Sequence, residues 1–144
     1  MINYFAYGSN MSVSRMVQRG ISPLSRTSGI LKNWKLKFNK KASAGDWVFA
    51  NIEENEGDIV EGIIFGINEN SLDKLDKFEG APNHYRREIV NVISKGKIVE
   101  CITYIAQKEH IVEGLKPTED YMKFIIEGSA LLSPDYQKML ISII

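Results

Sequence analysis

The segment from Asp58 to Ile67 restricts the fold of this chain most strongly, because it is apolar along both sides of an extended strand. Four side chains alternate along one side: Ile59, Ile63, Phe65 and Ile67. Val60 and Ile64 fall on the opposite side, since successive side chains of a strand point to opposite faces. Gly62 and Gly66 share a face and leave room for a close neighbour or for strong curvature. We therefore expect a strand that is covered on both faces.

The first twenty residues have the pattern of a strand, a turn and a helix. Residues 2–7 are β-branched and aromatic and lead into Gly8, as at the end of a strand. Ser12 is placed to cap a short helix that Gly20 ends. This order predicts exposed backbone N–H groups just beyond the strand.

Strand and helix signals alternate along the rest of the chain. Residues 24–53 contain several strand-like pieces, and Asn70 or Ser71 is expected to cap a second helix. Its buried face is predicted to carry three apolar side chains: Leu72, Leu75 and Phe78. Glu79 and Gly80 lie at its end.

The second half of the chain predicts a hairpin followed by two helices. Residues 86–94 and 97–106 read as strands joined through Lys95-Gly96. Pro117-Thr118 opens a helix, and Ser133-Pro134 begins a last helix that runs to the C-terminus. Strands and helices interspersed with hairpins favour an α+β fold with a mixed sheet.

Composition places the chain among ordinary globular proteins. The 144 residues are 44% apolar and 25% charged, and we expect a single domain over residues 1–144. Eighteen basic residues balance eighteen acidic ones, which argues against nucleic acid or a membrane surface as partner. The N-terminus lacks a signal-peptide pattern and Cys101 has no disulfide partner, so we expect a cytoplasmic protein. No apolar run approaches the roughly 20 residues that span a bilayer.

The usual catalytic devices are missing from the sequence. His84 and His110 are the only histidines, and neither stands at metal-ligand spacing from Cys101. There is no G-x-S-x-G elbow and no phosphate-binding loop, and Ser9 has no evident base beside it. We therefore expect neither a metal nor a cofactor, and a reaction that needs no activated protein nucleophile.

Two features remain that can carry chemistry, a turn and a carboxylate. The turn is Tyr7-Gly8-Ser9-Asn10-Met11, which offers close backbone approach, polar side chains and the start of a helix. The competing interpretation is a strand-to-helix turn with a purely structural role.

Glu79 opposes the dipole of the helix that it ends, so helix stability does not explain its position. An ordinary solvated glutamate is its alternative, and three nearby acids have the same claim by composition: Asp73, Asp76 and Glu88.

The remaining polar and aromatic residues allow weaker predictions. Tyr85 and Tyr121 suit the orientation of a small polar substrate, although core positions are also common for tyrosine. His84 is expected in a surface loop, and Cys101 in the core. The lysines between Lys32 and Lys41 are expected to form the solvated face of an edge strand.

These motifs, in this order, resemble the γ-glutamylcyclotransferase-like family. Phe5 to Met11 is similar to its Y-G-S-N motif, and Leu75 to Gly80 followed by Tyr85 is similar to its L-D-x-x-E-G…Y segment. Pro117 to Tyr121 and the later Gly128 resemble its P-S-x-x-Y…G helix. The match covers residues 3 to about 136, with methionine at position 11 where leucine is common. The residues from Ala81 to His84 and those after 106 match nothing specific.

The resemblance implies a strongly curved, barrel-like mixed sheet with flanking helices, and a cavity between the Y-G-S-N turn and Glu79. It also implies a reaction in which the α-amine of a γ-glutamyl compound attacks its own γ-carbonyl, forming 5-oxoproline and a free amine. Glu79 would be the general acid/base, and substrate would bind at Tyr7, Gly8, Ser9, Asn10, Met11, Tyr85 and Tyr121. The unmatched residues after Gly80 and after position 106 would set substrate choice.

Two rival functions stay open at this level. One is a non-catalytic small-ligand-binding module on the same fold, and the other is a nucleic-acid-binding or partner-binding face along Lys32 to Lys41. The group attached to the γ-glutamyl carbonyl is not identified by the sequence. We expect a monomer or homodimer.

Overall fold

The computed structural model describes all 144 residues. Five strands form one sheet: β1 (Ile2–Ala6), β2 (Ser25–Lys41), β3 (Val48–Ile67), β4 (Tyr85–Ser94) and β5 (Lys97–Ala106). Four helices accompany it: α1 (Val13–Gln18), α2 (Glu69–Glu79), α3 (Glu119–Gly128) and α4 (Pro134–Ile141). Short 3-10 turns cover Ser9–Met11 and Lys108–His110.

The sheet closes into a barrel, in the order β1-β3-β2-β4-β5. Neighbouring strands are antiparallel except for β1 and β5, which run parallel and pair Tyr4 with Ile102. The α+β class and the strongly curved mixed sheet with flanking helices are therefore confirmed.

The β2–β3 ribbon is longer than the sequence pattern predicted. Residues 24–53 do not hold several short pieces, because β2 is one strand of 17 residues and β3 one of 20. Pairing with β2 along nearly its full length keeps β3 extended through the polar stretch before Asp58. The apolar segment is buried on both faces as expected, apart from Ile59, whose side chain is 45% exposed.

Paired glycines let the barrel close tightly. Gly62 lies opposite Gly29 on β2. A Cβ at Gly62 would lie 2.4 Å from the carbonyl oxygen of Ala6, and one at Gly29 would lie 2.5 Å from Cγ1 of Val92. The prediction that Gly62 makes room for a close neighbour is confirmed.

Apolar side chains fill two regions, one inside the barrel and one between the barrel and the helices. The interior holds side chains from all five strands, among them Phe5, Leu31, Val60, Val92 and Cys101. The outer cluster joins the other face of the sheet to the helices through Phe65, Leu75, Met122, Ile125 and Leu140. Because the sheet is covered on both faces, the ends of its strands are held in fixed positions.

Side chains cap the helices at their N-termini. The side chains of Ser12, Thr118 and Ser133 accept backbone N–H groups at the starts of α1, α3 and α4, as predicted. The prediction for α2 was wrong, because Asn68 caps it by accepting the N–H of Ser71 at 2.8 Å. α4 ends at Ile141 and does not reach the C-terminus.

The end of α2 differs from the expectation in one further respect. Phe78 was assigned to the buried face, but its side chain is 52% exposed and Arg19 lies 4.9 Å above its ring. Gly80 ends the helix at a positive φ of 63°, a conformation that suits glycine. None of the four helices is long and apolar enough to cross a bilayer.

Candidate active site

A cavity of about 380 Å³ lies where the turn after β1 meets the end of α2. Its walls also include the start of β4, the connection between β2 and β3, and Tyr121 of α3. The cavity is in the size range of small-molecule sites. Parts of the chain that are distant in sequence therefore meet at one place.

Glu79 is the only acidic residue that lines this cavity. The last turn of α2 carries it, and the left-handed Gly80 then directs the chain away. Its side chain is 17% exposed, and its Oε1 accepts a hydrogen bond from Nδ2 of Asn10 at 3.0 Å. The structure therefore brings together the turn and the carboxylate that the sequence singled out.

Asn10 connects three side chains of the site. Its Nδ2 also donates to the hydroxyl of Tyr4 at 3.0 Å, and its Oδ1 accepts from Nη1 of Arg19 at 2.9 Å. The same Arg19 nitrogen lies 3.9 Å from Oε1 of Glu79. Asn10 is 4% exposed, so its amide is held between these partners with little freedom to rotate. This network fixes the orientation of the Glu79 carboxylate.

Burial raises the pKa of Glu79 above its ordinary value. The positive charges of Arg19 and Arg15, the hydrogen bond from Asn10 and the charge of Lys40 oppose that rise without cancelling it. A carboxyl group whose pKa moves toward neutrality is suited to taking up and returning a proton.

The turn carries free backbone donors, and its residues Gly8, Ser9 and Asn10 line the cavity. The N–H groups of Gly8, Ser9 and Asn10 donate to no acceptor of the protein, whereas the N–H of Met11 donates to the Gly8 carbonyl at 3.0 Å. The Met11 side chain is fully buried in the outer core and does not line the cavity. Met11 therefore supports the turn from behind, unlike the four residues before it.

Tyr85 and Tyr121 bind the two polar groups of one residue. The hydroxyl of Tyr85 donates to the Ala50 carbonyl at 2.7 Å, and the hydroxyl of Tyr121 accepts the Ala50 N–H at 2.9 Å. Ala50 lies in the part of β3 that pairs with β2 but not with β1. The two hydroxyls thus bind the Ala50 backbone where a neighbouring strand would otherwise bind it, and both tyrosines line the cavity.

Tyr7 has its hydroxyl engaged as well. It donates to the carbonyl of Tyr104 at 2.5 Å, which ties the end of β1 to β5. Tyr7 is 7% exposed and lines the cavity beside Tyr4 and Tyr104. Its ring forms part of the wall, while its hydroxyl is committed to the barrel.

The expectation for Lys40 was wrong, and the expectation for His84 holds only in part. Lys40 is not on a solvated face, because the bulge near Phe38 turns it inward and leaves it 4% exposed in the cavity wall. His84 lies in the loop between α2 and β4, as expected, but it is half-buried in the same cavity wall, with its Nδ1 3.0 Å from Nζ of Lys40. Burial and the charge of Lys40 lower the pKa of His84.

The three alternative acids lie outside the cavity. Asp76 accepts hydrogen bonds from Tyr104 and Arg87, while Asp73 and Glu88 form ion pairs on the surface. Several cavity residues were not predicted for the site from the sequence, among them Tyr4, Arg15, Arg19 and Lys40. The spacing of Arg15 and Arg19, four residues apart on the helix after the turn, is the one pattern that could have identified two of them.

Comparisons with known proteins identify the family of this chain. The model of the family described as gamma-glutamyl cyclotransferase, AIG2-like, matches residues 4–123. A gamma-glutamylcyclotransferase of Bos taurus is 32% identical, over 97% of this chain and 77% of its own length. A putative gamma-glutamylcyclotransferase of Bacillus subtilis, YkqA, is also 32% identical, and the chain spans 50% of its length.

Solved structures show the same fold. A gamma-glutamyl cyclotransferase structure superposes with a TM-score of 0.84 at 28% identity, covering 99% of this chain and 88% of that one. The family match covers most of the chain, including both the turn and Glu79. The chain therefore belongs to the gamma-glutamyl cyclotransferase, AIG2-like family, and is an enzyme of the gamma-glutamylcyclotransferase type.

Proposed function

We propose that this enzyme releases 5-oxoproline and a free amine from a γ-glutamyl compound. The α-amine nitrogen of the substrate attacks its γ-carbonyl carbon, a new C–N bond closes a five-membered ring, and the bond to the departing amine breaks. The observation that carries the proposal is Glu79, the single carboxylate of the cavity, hydrogen-bonded to Asn10 of the turn.

Glu79 acts as the proton carrier in this proposal. It accepts the proton that the attacking α-nitrogen loses and delivers that proton to the departing nitrogen. Its raised pKa and its fixed orientation support this role. The nucleophile comes from the substrate itself, which fits a cavity in which His84 is hydrogen-bonded to Lys40 and not to a serine.

The turn supplies the groups that bind negative charge. The free N–H groups of Gly8, Ser9 and Asn10 are suited to the α-carboxylate or to the oxyanion that develops on the γ-carbonyl. Arg15 and Arg19 add positive charge to the same side of the cavity. Donors that are already oriented stabilise developing charge without having to reorganise.

The hydroxyl groups of Tyr85 and Tyr121 differ in the hydrogen bonds that they can still form with a substrate. Because Tyr121 accepts the Ala50 N–H, its own proton remains available to a substrate carboxylate or carbonyl. Because Tyr85 gives its proton to the Ala50 carbonyl, it retains lone pairs that can accept a hydrogen bond from the α-ammonium. We assign Tyr121 to the negative end and Tyr85 to the positive end of the glutamyl group.

The cavity wall can also hold the glutamyl chain in a folded conformation. Ring closure requires the α-nitrogen and γ-carbon to meet, and well-oriented intramolecular reactions gain up to about 7–11 kcal/mol over their bimolecular counterparts. Bulky cavity residues such as Tyr4, Tyr7 and Phe49 restrict the space around the substrate. In this proposal, the cavity wall orients the substrate for ring closure and Glu79 transfers the proton.

The test is substitution of Glu79 by glutamine. We expect Glu79→Gln to fold and to bind a γ-glutamyl ligand, with kcat reduced by about 10²–10⁴-fold, the usual contribution of a general acid or base. Glu88→Gln is the matched control, since Glu88 lies on β4 outside the cavity.

Release of 5-oxoproline and of the amine, followed across pH, is the measurement. The wild-type rate should show a limb that Glu79→Gln lacks. Retained turnover in Glu79→Gln would reject the assigned role. Failure of the wild type to release 5-oxoproline from any of a panel of γ-glutamyl compounds would favour a ligand-binding module.

A further inference from the structure

Asp76 is a partly buried acid that the proposed reaction does not use. Its side chain is 27% exposed and lies outside the cavity. It belongs to the last turn of α2, three residues before Glu79. A negative charge opposes the helix dipole there, so neither acid stabilises the end of the helix that carries it. The position of Asp76 is therefore explained by its partners and not by α2.

Two paired strands provide the partners of Asp76. Arg87 of β4 and Tyr104 of β5 lie opposite each other in the β4–β5 pairing. The hydroxyl of Tyr104 donates to Oδ1 of Asp76 at 2.6 Å, and Arg87 donates from Nε at 2.9 Å and from Nη2 to Oδ2. Burial alone would raise the pKa of Asp76, but these hydrogen bonds and the charge of Arg87 lower it below its ordinary value. Asp76 is therefore a fixed anion that ties α2 to the β4–β5 hairpin, and not a proton carrier.

The backbone of Asp76 closes the same helical turn. Its carbonyl accepts the N–H of Ala81 at 2.9 Å, across Gly80 with its positive φ of 63°. This hydrogen bond is the long one of the Schellman motif that ends many helices. Glu79 lies inside the loop that the bond closes, between Asp76 and Ala81. A helix end that would otherwise fray is thus fixed on both sides of Glu79.

Tyr104 also connects Asp76 to Glu79 along the wall of the cavity. The ring of Tyr104 lines the cavity and packs edge-to-face on that of Tyr4, with centroids 5.9 Å apart. The Tyr4 hydroxyl accepts a hydrogen bond from the amide of Asn10, and the same amide donates to Glu79. Asp76 is therefore connected to Glu79 both along the helix and through the cavity wall.

We propose that Asp76 is a positioning residue for the reaction, because it fixes the last turn of α2 against β4 and β5 and so holds the Glu79 carboxylate beside Asn10. This inference rests on the proposed function. Asp76 contacts neither the substrate nor the reacting atoms, and its effect passes through Glu79. Proton transfer needs the carboxylate within hydrogen-bonding distance of both nitrogens, and a misplacement of about 1 Å can cost about 10²-fold in rate.

The main variant is Asp76→Ala, and kcat and KM are measured separately on the folded enzyme. The assay is release of 5-oxoproline from γ-glutamyl-alanine or γ-glutamyl-ethylamine, whichever the wild type turns over faster. We expect kcat to fall about 10- to 100-fold, because the Glu79 carboxylate loses its fixed position. KM should change less than about threefold, because Asp76 lies outside the cavity that binds the glutamyl group.

Two control variants separate positioning from stability. Asp73→Ala removes the other acid that pairs with Arg87, at 3.6 Å, and leaves the Tyr104 hydrogen bond in place, so kcat should not change. Glu61→Ala removes a second carboxylate that holds a helix, since Glu61 accepts the N–H and the hydroxyl of Ser133 at 2.8 and 2.7 Å. It should lower Tm and leave the kcat of the folded enzyme unchanged, because Glu61 does not line the cavity.

A double substitution tests whether Asp76 acts through Glu79. Adding Asp76→Ala to Glu79→Gln should change the residual kcat by less than about twofold, since the carboxylate to be positioned is already absent. Tyr104→Phe removes only the hydroxyl and should lower kcat as Asp76→Ala does. Asp76→Asn should lower it less, because its amide oxygen still accepts from Tyr104. If Asp76→Ala does not fold, as judged by circular dichroism, these last two variants provide the test.

The kinetics of the folded variants decide between positioning and stability. Wild-type kcat in Asp76→Ala would overturn the inference, and so would a fall that Glu61→Ala reproduces at the same loss of Tm. A further fall of kcat when Asp76→Ala is added to Glu79→Gln would overturn it as well. Wild-type kcat in Glu79→Gln would reject the proposed function and this inference together, whereas loss of kcat in Glu79→Gln but not in Asp76→Ala would reject this inference alone.

Discussion

Removing the hydroxyl of Tyr121 tests how the cavity recognises the negative end of its substrate. In Tyr121→Phe the ring remains, including its edge-to-face contact with Phe49, whose centroid lies 5.1 Å away. Two interactions are lost. One is the acceptor for the Ala50 N–H at 2.9 Å, and the other is the proton that we assign to the substrate carboxylate or oxyanion.

The magnitude of each loss follows from the type of hydrogen bond. A hydrogen bond to a charged group contributes about 1.5–3 kcal/mol, so kcat/KM should fall about 10- to 100-fold. An unpaired backbone N–H costs about 1–3 kcal/mol when it is buried. Ala50 lines the cavity, where water can take the place of the lost hydroxyl, so we expect the lower value and a fall in Tm of about 3–4 °C.

The assay is release of 5-oxoproline under kcat/KM conditions, with thermal unfolding measured on the same samples. Tyr136→Phe is the control, since Tyr136 packs between the barrel and the helices and does not line the cavity. It should leave kcat/KM unchanged. A Tyr121→Phe enzyme that folds and keeps the wild-type kcat/KM would refute the reasoning.

Two further predictions concern Glu79 and the turn. Because the pKa of Glu79 is raised, the folded state binds its proton more tightly, and stability falls as pH rises through the interval above the ordinary carboxyl pKa. Glu79→Gln should therefore raise stability at pH 7 by about 0.5–2 kcal/mol and leave it unchanged at low pH, which thermal unfolding at the two pH values checks. A Cβ at Gly8 would lie 3.1 Å from Cβ of Ala50 and 3.3 Å from the Tyr121 hydroxyl, while the Ser9 side chain makes no hydrogen bond. Gly8→Val should thus cost about 1–3 kcal/mol and most of the activity, and Ser9→Ala only a few-fold in kcat/KM; equal losses would contradict this.

Local signals were sufficient for most of the fold. The hairpin turn at Lys95-Gly96 uses two residues with positive φ, 51° and 75°, and the sequence located it because few residue pairs adopt that conformation. The N-cap of α2 was placed too late, since Asn68, Asn70 and Ser71 all have capping side chains. The pairing of β3 with β1 extends to Ile67, and this pairing determines where the strand ends and α2 begins.

The site was predicted only in part, because local sequence signals do not show tertiary contacts. Residue types drew attention to Glu79 and the turn, and the resemblance to a known family favoured both over their structural alternatives. Arg19 and Lys40 were not found, because the contacts that place them in the site arise only in the tertiary structure. Arg19 contacts Asn10, and Lys40 contacts His84. For Lys40 the alternating pattern was misleading, since a bulge between Phe38 and Lys40 changes which side of the strand faces solvent.

The incomplete pairing of β3 has a consequence for how this enzyme can change. The barrel closes through the end of β3 that pairs with β1, whereas the part around Ala50 pairs with no strand other than β2, and two tyrosine hydroxyls bind the Ala50 backbone. The part of β3 that closes the barrel is therefore different from the part that lines the cavity. Substitutions around the β2–β3 connection can accumulate while the closed part of the barrel stays intact, which gives the scaffold freedom to acquire new substrates by small steps.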